Sequence, residues 1–330
     1  MPTNPTSRRT ALAIALLAFA GGAAAQQSKW PDITWLFTSF QGKGDGLHLS
    51  ASADGKAWSD LGKVFLKTSV GSGLMRDPHI LRGPDGVFRM VWTTGWKDKG
   101  IGYAASTDLV NWSAQRYLPI FEKTAGATDA WAPETFYDET GGQYVITVSS
   151  DIDGRFPETK SDERMNHRTY YVTTKDFVTF SEPRLFLDPG FDHIDTTVMR
   201  EEGSRGGRYI AVFKEGDRQK AGKWGAVRWA VADSALGPYR VMPEPLIKGL
   251  RAEGPTLYTH DGKTTLLVDF YADKRYGAFE TTDWKTWTDV SPQVAVAKGQ
   301  RHGTVLAVPA WLAKDLAAVQ PLMQPAAQPV

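Results

Sequence analysis

The sequence predicts an all-β fold: a five-bladed β-propeller, its ring closed by pairing of the N- and C-terminal strands. Three observations predict it. A small or β-branched residue, an acid and an aromatic recur five times, as Ser52-Ala53-Asp54…Trp58, Ser106-Thr107-Asp108…Trp112, Thr174-Lys175-Asp176…Phe180, Ala232-Asp233…Tyr239 and Thr282-Asp283…Trp287. The acids lie 54, 68, 57 and 50 residues apart, and self-similarity at about 50 residues built from short strands and turns marks a propeller blade. The composition agrees, with 12% aromatics, 32 Gly and 19 Pro in 330 residues, as expected of flat, half-buried strands joined by tight turns. Finally, four units read as complete, and the fifth is divided between the two ends of the chain.

The elements follow in order. Arg8-Arg9, the apolar run Ala11–Ala20 and Ala23-Ala24-Ala25 read as an export signal over residues 1–25, since the run is too short to span a bilayer. Ser7-Arg8-Arg9-Thr10 also resembles a twin-arginine signal. The expected location is therefore periplasmic or secreted, with no membrane association once the signal is removed. Residues 26–310 are expected to form the propeller. Ile33–Phe40, Gly46–Ser52 and Trp58–Phe65 supply three strands with no inner strand before them. From Asp77 a full unit runs through Pro78–Arg82, a Gly83–Gly86 turn, Val87–Thr93, Ile101–Ser106 and Trp112–Pro119. The order returns after Glu134, after Asp195 and after Glu253, with turns at Asp138–Gly142, Gly203–Gly207 and His260–Gly262. The strand missing from the split unit is His302–Pro309, and using it removes exposed sheet edges. Residues 311–330, rich in Ala, Gln and Pro, are expected to be a loose tail.

Composition also limits function. With no cysteine, neither disulfides nor thiolate metal sites can form. Net charge is +1, and without residues 1–25 the chain carries 36 basic and 37 acidic side chains. Bulk electrostatics therefore favour neither nucleic acid nor an anionic membrane as partner. No phosphate-binding Gly-rich loop, Gly-x-Ser-x-Gly elbow or His-Glu-x-x-His helix is present.

The residues opening the five inner strands are Asp77, Glu134, Asp195, Glu253 and His302, spaced by 57, 61, 58 and 49. Equivalent positions of a radial repeat share one height, so these side chains are expected at one mouth of the channel. Converging carboxyls carry an electrostatic cost that marks functional sites.

Arg76-Asp77-Pro78, Trp131-Ala132-Pro133-Glu134, Ile194-Asp195-Thr196 and Ala252-Glu253-Gly254-Pro255, in that order, resemble glycoside hydrolase family 43, the arabinanase, β-xylosidase and arabinofuranosidase group. The resemblance covers about Ile33 to Pro309. It implies Asp77 as general base, Asp195 as the carboxylate that tunes and orients the acid, and Glu253 as general acid. Family members often carry Asp or His where Glu134 stands, so it is taken as a substrate-binding residue. The substrate-binding set is Trp131, Glu134, Arg301 and His302. No cofactor is required; in arabinanase-like relatives a histidine at the end of the ring contacts hydrated calcium, which raises Ca2+ near His302.

The chemistry also stands alone. Breaking a glycosidic bond needs a proton for the leaving oxygen and a nucleophile at the anomeric carbon. In an inverting enzyme Asp77 activates water while Glu253 stays protonated, aided by the charge of Asp195. Trp131, beside the mouth, suits a sugar's C–H face; Trp92, Trp96, Phe136 and Tyr271 read better as core, and Trp58, Trp112 and Trp287 as structural. Asn166-His167-Arg168 lies in a loop that either reaches over the mouth or is plain surface.

The expected activity is hydrolysis of pentose-containing poly- or oligosaccharides, by an α-L-arabinofuranosidase or β-xylosidase. Alternatives are a galactan- or galactofuranose-cleaving enzyme of the same fold, or a non-catalytic carbohydrate-binding propeller. Three clustered acids argue against pure binding. Oligomeric state is not legible.

Overall fold

The computed structural model describes residues 33–160, 165–201, 207–216, 225–248 and 251–319. The expected export signal and the turn at residues 203–206 lie outside them. Five four-stranded antiparallel sheets are arranged as propeller blades. Blade 1 comprises β4 (Arg76–Arg82), β5 (Phe88–Thr93), β6 (Ile101–Ser106) and β7 (Arg116–Leu118). Blade 2 comprises β8 (Trp131–Asp138), β9 (Gln143–Ser150), β10 (Arg168–Thr174) and β11 (Arg184–Leu187). Blade 3 holds β12 (His193–Arg200), β13 (Tyr209–Glu215), β14 (Val227–Ala232) and β15 (Arg240–Val241), and blade 4 holds β16 (Glu253–His260), β17 (Lys263–Phe270), β18 (Arg275–Thr281) and β19 (Thr288–Asp289). Blade 5 joins the two ends: β20 (Val305–Pro309) pairs antiparallel with β1 (Ile33–Ser39), followed by β2 (Leu47–Ser52) and β3 (Ser59–Leu66).

The closure expected from the sequence is therefore present, with Ile33 opposite Pro309 and Phe37 opposite Val305. A polar seam locks it on the inner side. Thr304 donates its N–H to Thr38 Oγ1 at 2.7 Å and its hydroxyl to His79 Nδ1 at 2.8 Å, while Thr38 Oγ1 donates to the Pro78 carbonyl at 2.5 Å. These bonds satisfy groups buried where blades 5 and 1 meet.

Apolar side chains pack between blades. Leu36, Met90 and Trp92 fill the join of blades 5 and 1, Val91, Ile146 and Phe177 that of 1 and 2, Phe186 and Phe213 that of 2 and 3. Val212 and Val268 lie between blades 3 and 4, Phe37 and Tyr276 between 4 and 5. Each large side chain so buried contributes about 1.5–3 kcal/mol.

Four of the five recurring acids are turn caps. Asp54 accepts the N–H groups of Lys56 and Ala57, Asp108 those of Val110 and Asn111, Asp176 those of Val178 and Thr179, and Asp283 those of Lys285 and Thr286. These backbone donors hold Asp54, Asp176 and Asp283 below the usual carboxylate range; Asp108 is lowered by the same donors against its burial. Trp58, Trp112 and Trp287 pack beside these turns against the interblade cores. The turns also shorten the outermost strands expected at 112–119 and 180–186 to Arg116–Leu118 and Arg184–Leu187.

One expectation is corrected. Of the loose tail expected at 311–330, residues 311–318 instead belong to a helix, α1 (Ala310–Ala318), and residues 320–330 lie outside the described residues. Leu312, Ala313 and Leu316 are buried in the cluster containing Leu36 and Val308, one apolar face at helical spacing. Lys63 of β3 donates Nζ to the carbonyls of Leu316 (2.7 Å) and Val319, capping the helix end. The Ala-rich composition that reads as low complexity is here high helix propensity.

Candidate active site

Every inner strand opens on the same irregularity. The register slips between Arg76 and His79, Trp131 and Glu134, Ile194 and Thr197, and Glu253 and Thr256, each a β-bulge. Asp77, Ala132, Asp195 and Gly254 sit inside these bulges with φ of 51°, 45°, 57° and 56°. In blade 5, Arg301 bridges Phe40 and the Thr304 carbonyl accepts the Thr38 N–H, so His302 fills the corresponding place. A left-handed L-residue costs roughly 1–2 kcal/mol, and here the bulge turns its side chain inward. At Gly254 a glycine is required, because a Cβ would lie 2.5 Å from the His302 ring.

This register corrects the expected single ring: the five polar residues occupy three layers, not equivalent positions. The outer layer is Arg76, Trp131, Ile194, Glu253 and Arg301, all partly exposed. In the middle lie Asp77, Asp195 and His302 with the small Ala132 and Gly254. The inner layer is His79, Glu134, Thr197, Thr256 and Thr304, all buried. Glu253 thus stands above Asp77 and Asp195, and Glu134 stands below them.

In the middle layer His302 Nδ1 lies 3.1 Å from Asp77 Oδ1 and 3.9 Å from Asp195 Oδ2. Burial works against a charged His302, but Asp195 and Asp77 outweigh it and push it up to about 10. Burial likewise opposes the Asp77 carboxylate, yet His302, Arg76 and the Thr93 hydroxyl together hold it below the usual range. Thr93 Oγ1 donates to Asp77 Oδ2 at 2.8 Å while accepting the Ala132 N–H at 2.8 Å, so blade 2 orients the blade 1 carboxylate. Asp195 is raised, chiefly by burial, with Glu253 and Asp77 adding to it. Its Oδ2 accepts the Gly254 N–H at 3.0 Å, which fixes the backbone next to Glu253.

In the outer layer Arg301 donates to Glu253 Oε1 and Asp269 Oδ2, both at 2.5 Å, and Lys214 Nζ lies 3.5 Å from Glu253 Oε2. Burial raises Asp269 to about 6 against the pull of Arg301. Lys214 and Asp269 occupy the second-strand positions opposite Ile194 and Glu253. Sequence reading missed both, although the spacing from each inner-strand opening to its hairpin partner gives them once the bulge is placed. Glu134 Oε2 lies 3.5 Å from His79 Nδ1. Burial pushes Glu134 up to about 8 and His79 down to about 4, so both are neutral near pH 7.

Trp131 and Trp96 form one wall of the mouth, edge to face at 5.7 Å. Trp96, read as core from the sequence, is 53% exposed, and its carbonyl accepts the Trp131 Nε1–H at 3.2 Å. The Arg76 guanidinium stacks on Phe40 at 4.4 Å and on Trp96 at 4.7 Å. Trp92 is core, Phe136 packs against a core cluster, and Tyr271 lies under Lys214 at 4.9 Å. Asn166, His167 and Arg168 are buried and do not form a plain surface loop. Among the described residues no group of three or more His, Asp or Glu is arranged to hold a metal ion. His302 meets its neighbours as a proton donor, so the arrangement does not fit a calcium ligand at Nδ1.

A family model described as a probable glycosyl hydrolase domain, of the family-43-related group, matches residues 32–311. The chain belongs to the family-43-related glycosyl hydrolases. Over 188 residues it is 29% identical to an α-L-arabinofuranosidase of Bifidobacterium longum, a match covering 46% of this chain and 18% of that protein. The chain thus spans under a fifth of that relative's length. Among solved structures, a thermostable family-43 glycoside hydrolase aligns with a TM-score of 0.54 at 16% identity, over 72% of this chain and 82% of that one. An α-L-arabinofuranosidase from Lactobacillus brevis aligns with a TM-score of 0.51 at 17% identity, over 66% and 72%. An exo-β-1,3-galactanase from Phanerochaete chrysosporium, solved with β-1,3-galactotriose, aligns with a TM-score of 0.51 at 14% identity, over 68% and 53%. At these identities the structural likeness speaks for the fold.

Proposed function

We propose that this family-43-related protein hydrolyses glycosidic bonds with inversion, using Asp77 as general base and Glu253 as general acid. The observation that carries the reading is the setting of Asp77, a carboxylate clamped by His302 Nδ1 at 3.1 Å and the Thr93 hydroxyl at 2.8 Å in the middle layer. Such a group suits the activation of a water. Glu253 stands one layer further out, on a blade not adjacent to that of Asp77, and its backbone is steadied by Asp195 through Gly254. Delivering a proton requires its contacts with Arg301 and Lys214 to loosen as substrate enters. Arg301 then becomes free to meet sugar hydroxyls, and the exposed wall of Trp131 and Trp96 takes the C–H face of the ring. Glu134 supports the inner layer instead of touching substrate.

The substrate class favoured is a pentose-bearing saccharide, an α-L-arabinofuranoside ahead of a β-xyloside, supported by the Bifidobacterium relative. Galactose-containing substrates are the second reading, supported by the fold shared with the galactanase. No step requires a metal. Residues 1–25 support action outside the cytoplasm, which a mature N-terminus at Gln26 would verify. The test of the central reading is an NMR time course on the best substrate from a panel of arabinofuranosides, xylosides and galactosides. The first product anomer is expected to be inverted; a retained anomer, or a glycosyl ester on Asp77, would reject the water-activating role.

A further inference from the structure

We propose that His167 is a positioning residue that holds the Trp131 indole in place at the mouth; the inference rests on the reading of Trp131 as the sugar-binding wall. The His167 ring lies stacked on Trp131, with centroids 4.7 Å apart and planes 26° apart. It is 1% exposed and closed in by carboxylates from two blades. Nε2 is 3.2 Å from both oxygens of Asp129, just ahead of β8, and Nδ1 is 3.6 Å from Asp192 Oδ1, just ahead of β12. Asp192 Oδ1 also accepts the His167 N–H at 2.6 Å. Asp129 accepts the Asp151 N–H at 3.2 Å, and Asp151 Oδ2 accepts the Asn166 N–H at 3.2 Å. The ring is thus fixed from blade 2, from blade 3 and from its own loop.

The indole inherits that fixity. His167 supports one face, Trp96 meets it edge-on, and the Trp96 carbonyl takes its only polar hydrogen. Among the described residues no ring or cation covers the other face. A side chain under this platform must be flat enough to stack, must donate to the buried Asp129 and must sit as a cation beside the partly exposed Asp192. Imidazolium meets these demands: burial opposes the charge, but Asp129 and Asp192 push His167 up to about 9. A lysine would neutralise the acids without stacking, and a phenylalanine would stack but remove the cation between the two acids, leaving them their backbone donors. None of the proposed proton transfers uses His167, so its consequence is in binding.

The test combines His167→Gln, Trp131→Phe and the double variant with 15N NMR of the full-length protein. The Trp131 Nε1–H resonance is assigned by its loss in Trp131→Phe. The expected result is a shifted or broadened Trp131 resonance in His167→Gln. KM should rise roughly tenfold with kcat within about twofold, and His167→Gln should add nothing further in the Trp131→Phe background. Should His167→Gln not fold, Asp192→Asn loosens the same ring and is expected to move the same resonance. An unmoved Trp131 resonance in a folded variant, or additive KM effects, would overturn the proposal. If the resonance moves while Trp131→Phe leaves KM unchanged, His167 still positions the indole and it is the platform reading that falls.

Discussion

Replacing Glu134 by Gln should reshape the pH dependence of stability in a calculable way. Glu134 is buried in the inner layer, its neighbour His79 is neutral near pH 7, and its carboxyl is pushed up to about 8 from an ordinary 4.5. Below about pH 4.5 it is protonated in both the folded and the unfolded chain. Between about 4.5 and 8 the unfolded chain gives up the proton and the folded one keeps it. Wild-type stability then falls by about 1.4 kcal/mol per pH unit on this account, summing to about 5 kcal/mol. Glutamine keeps the shape and cannot ionise. The stability of wild type minus that of Glu134→Gln should therefore decline across pH 4.5–8 and level off above it. Urea unfolding of both proteins at half-unit pH steps, with equal m-values, measures that difference. A flat difference, or one that rises with pH, would refute the buried, protonated state assigned to Glu134.

Other expectations follow from the same geometry. Asp77→Asn should lower kcat by at least about a thousandfold while the protein stays folded, which circular dichroism and steady-state rates check. Glu253→Ala should abolish turnover of natural linkages but spare more activity on aryl glycosides, whose leaving groups need little protonation; equal losses would remove Glu253 as the acid. Leu316→Ala should destabilise by roughly 2–4 kcal/mol because α1 is packed into the core, whereas a loose tail would show no change on thermal melting. His302, raised to about 10, contributes stability that is full below about pH 6.5 and lost as pH rises through about 10; His302→Gln should flatten that alkaline decline in the same urea series.

Architecture was legible because it repeats. The Asp54, Asp108, Asp176 and Asp283 turns recur with the same backbone contacts, and the unpaired strands at each end of the chain pointed to each other. The site was legible in membership but not in height. Spacing alone lines up the acids, yet a bulge adds a residue and shifts each strand's register. Aligning Pro78, Pro133 and Pro255 instead puts Asp77 one place before its proline, Glu253 two before and Glu134 one after. Those offsets are the three layers. Lys214, Asp269 and Thr93 escaped notice because they belong to second strands, where nothing recurs in residue type. Trp96 and His167 resisted reading for a different reason: the exposed Trp96 and the buried His167 each meet Trp131, and both are set there by loop paths that no periodic pattern encodes.

The splitting of blade 5 has a consequence for the order in which the protein matures. A chain emerging from its N-terminus can form blades 1 to 4 early, but β1 has no inner partner until residues 305–309 appear. The same final segment brings His302 to Asp77 and Arg301 to Glu253. Mechanical closure and the charging of the site are thus one event. A polypeptide stopped short of this stretch would have an unzipped seam and, in the same stroke, Asp77 without His302 and Glu253 without Arg301. Competence is in this way gated by completion: the ring does not become a reactive vessel before it is a finished one.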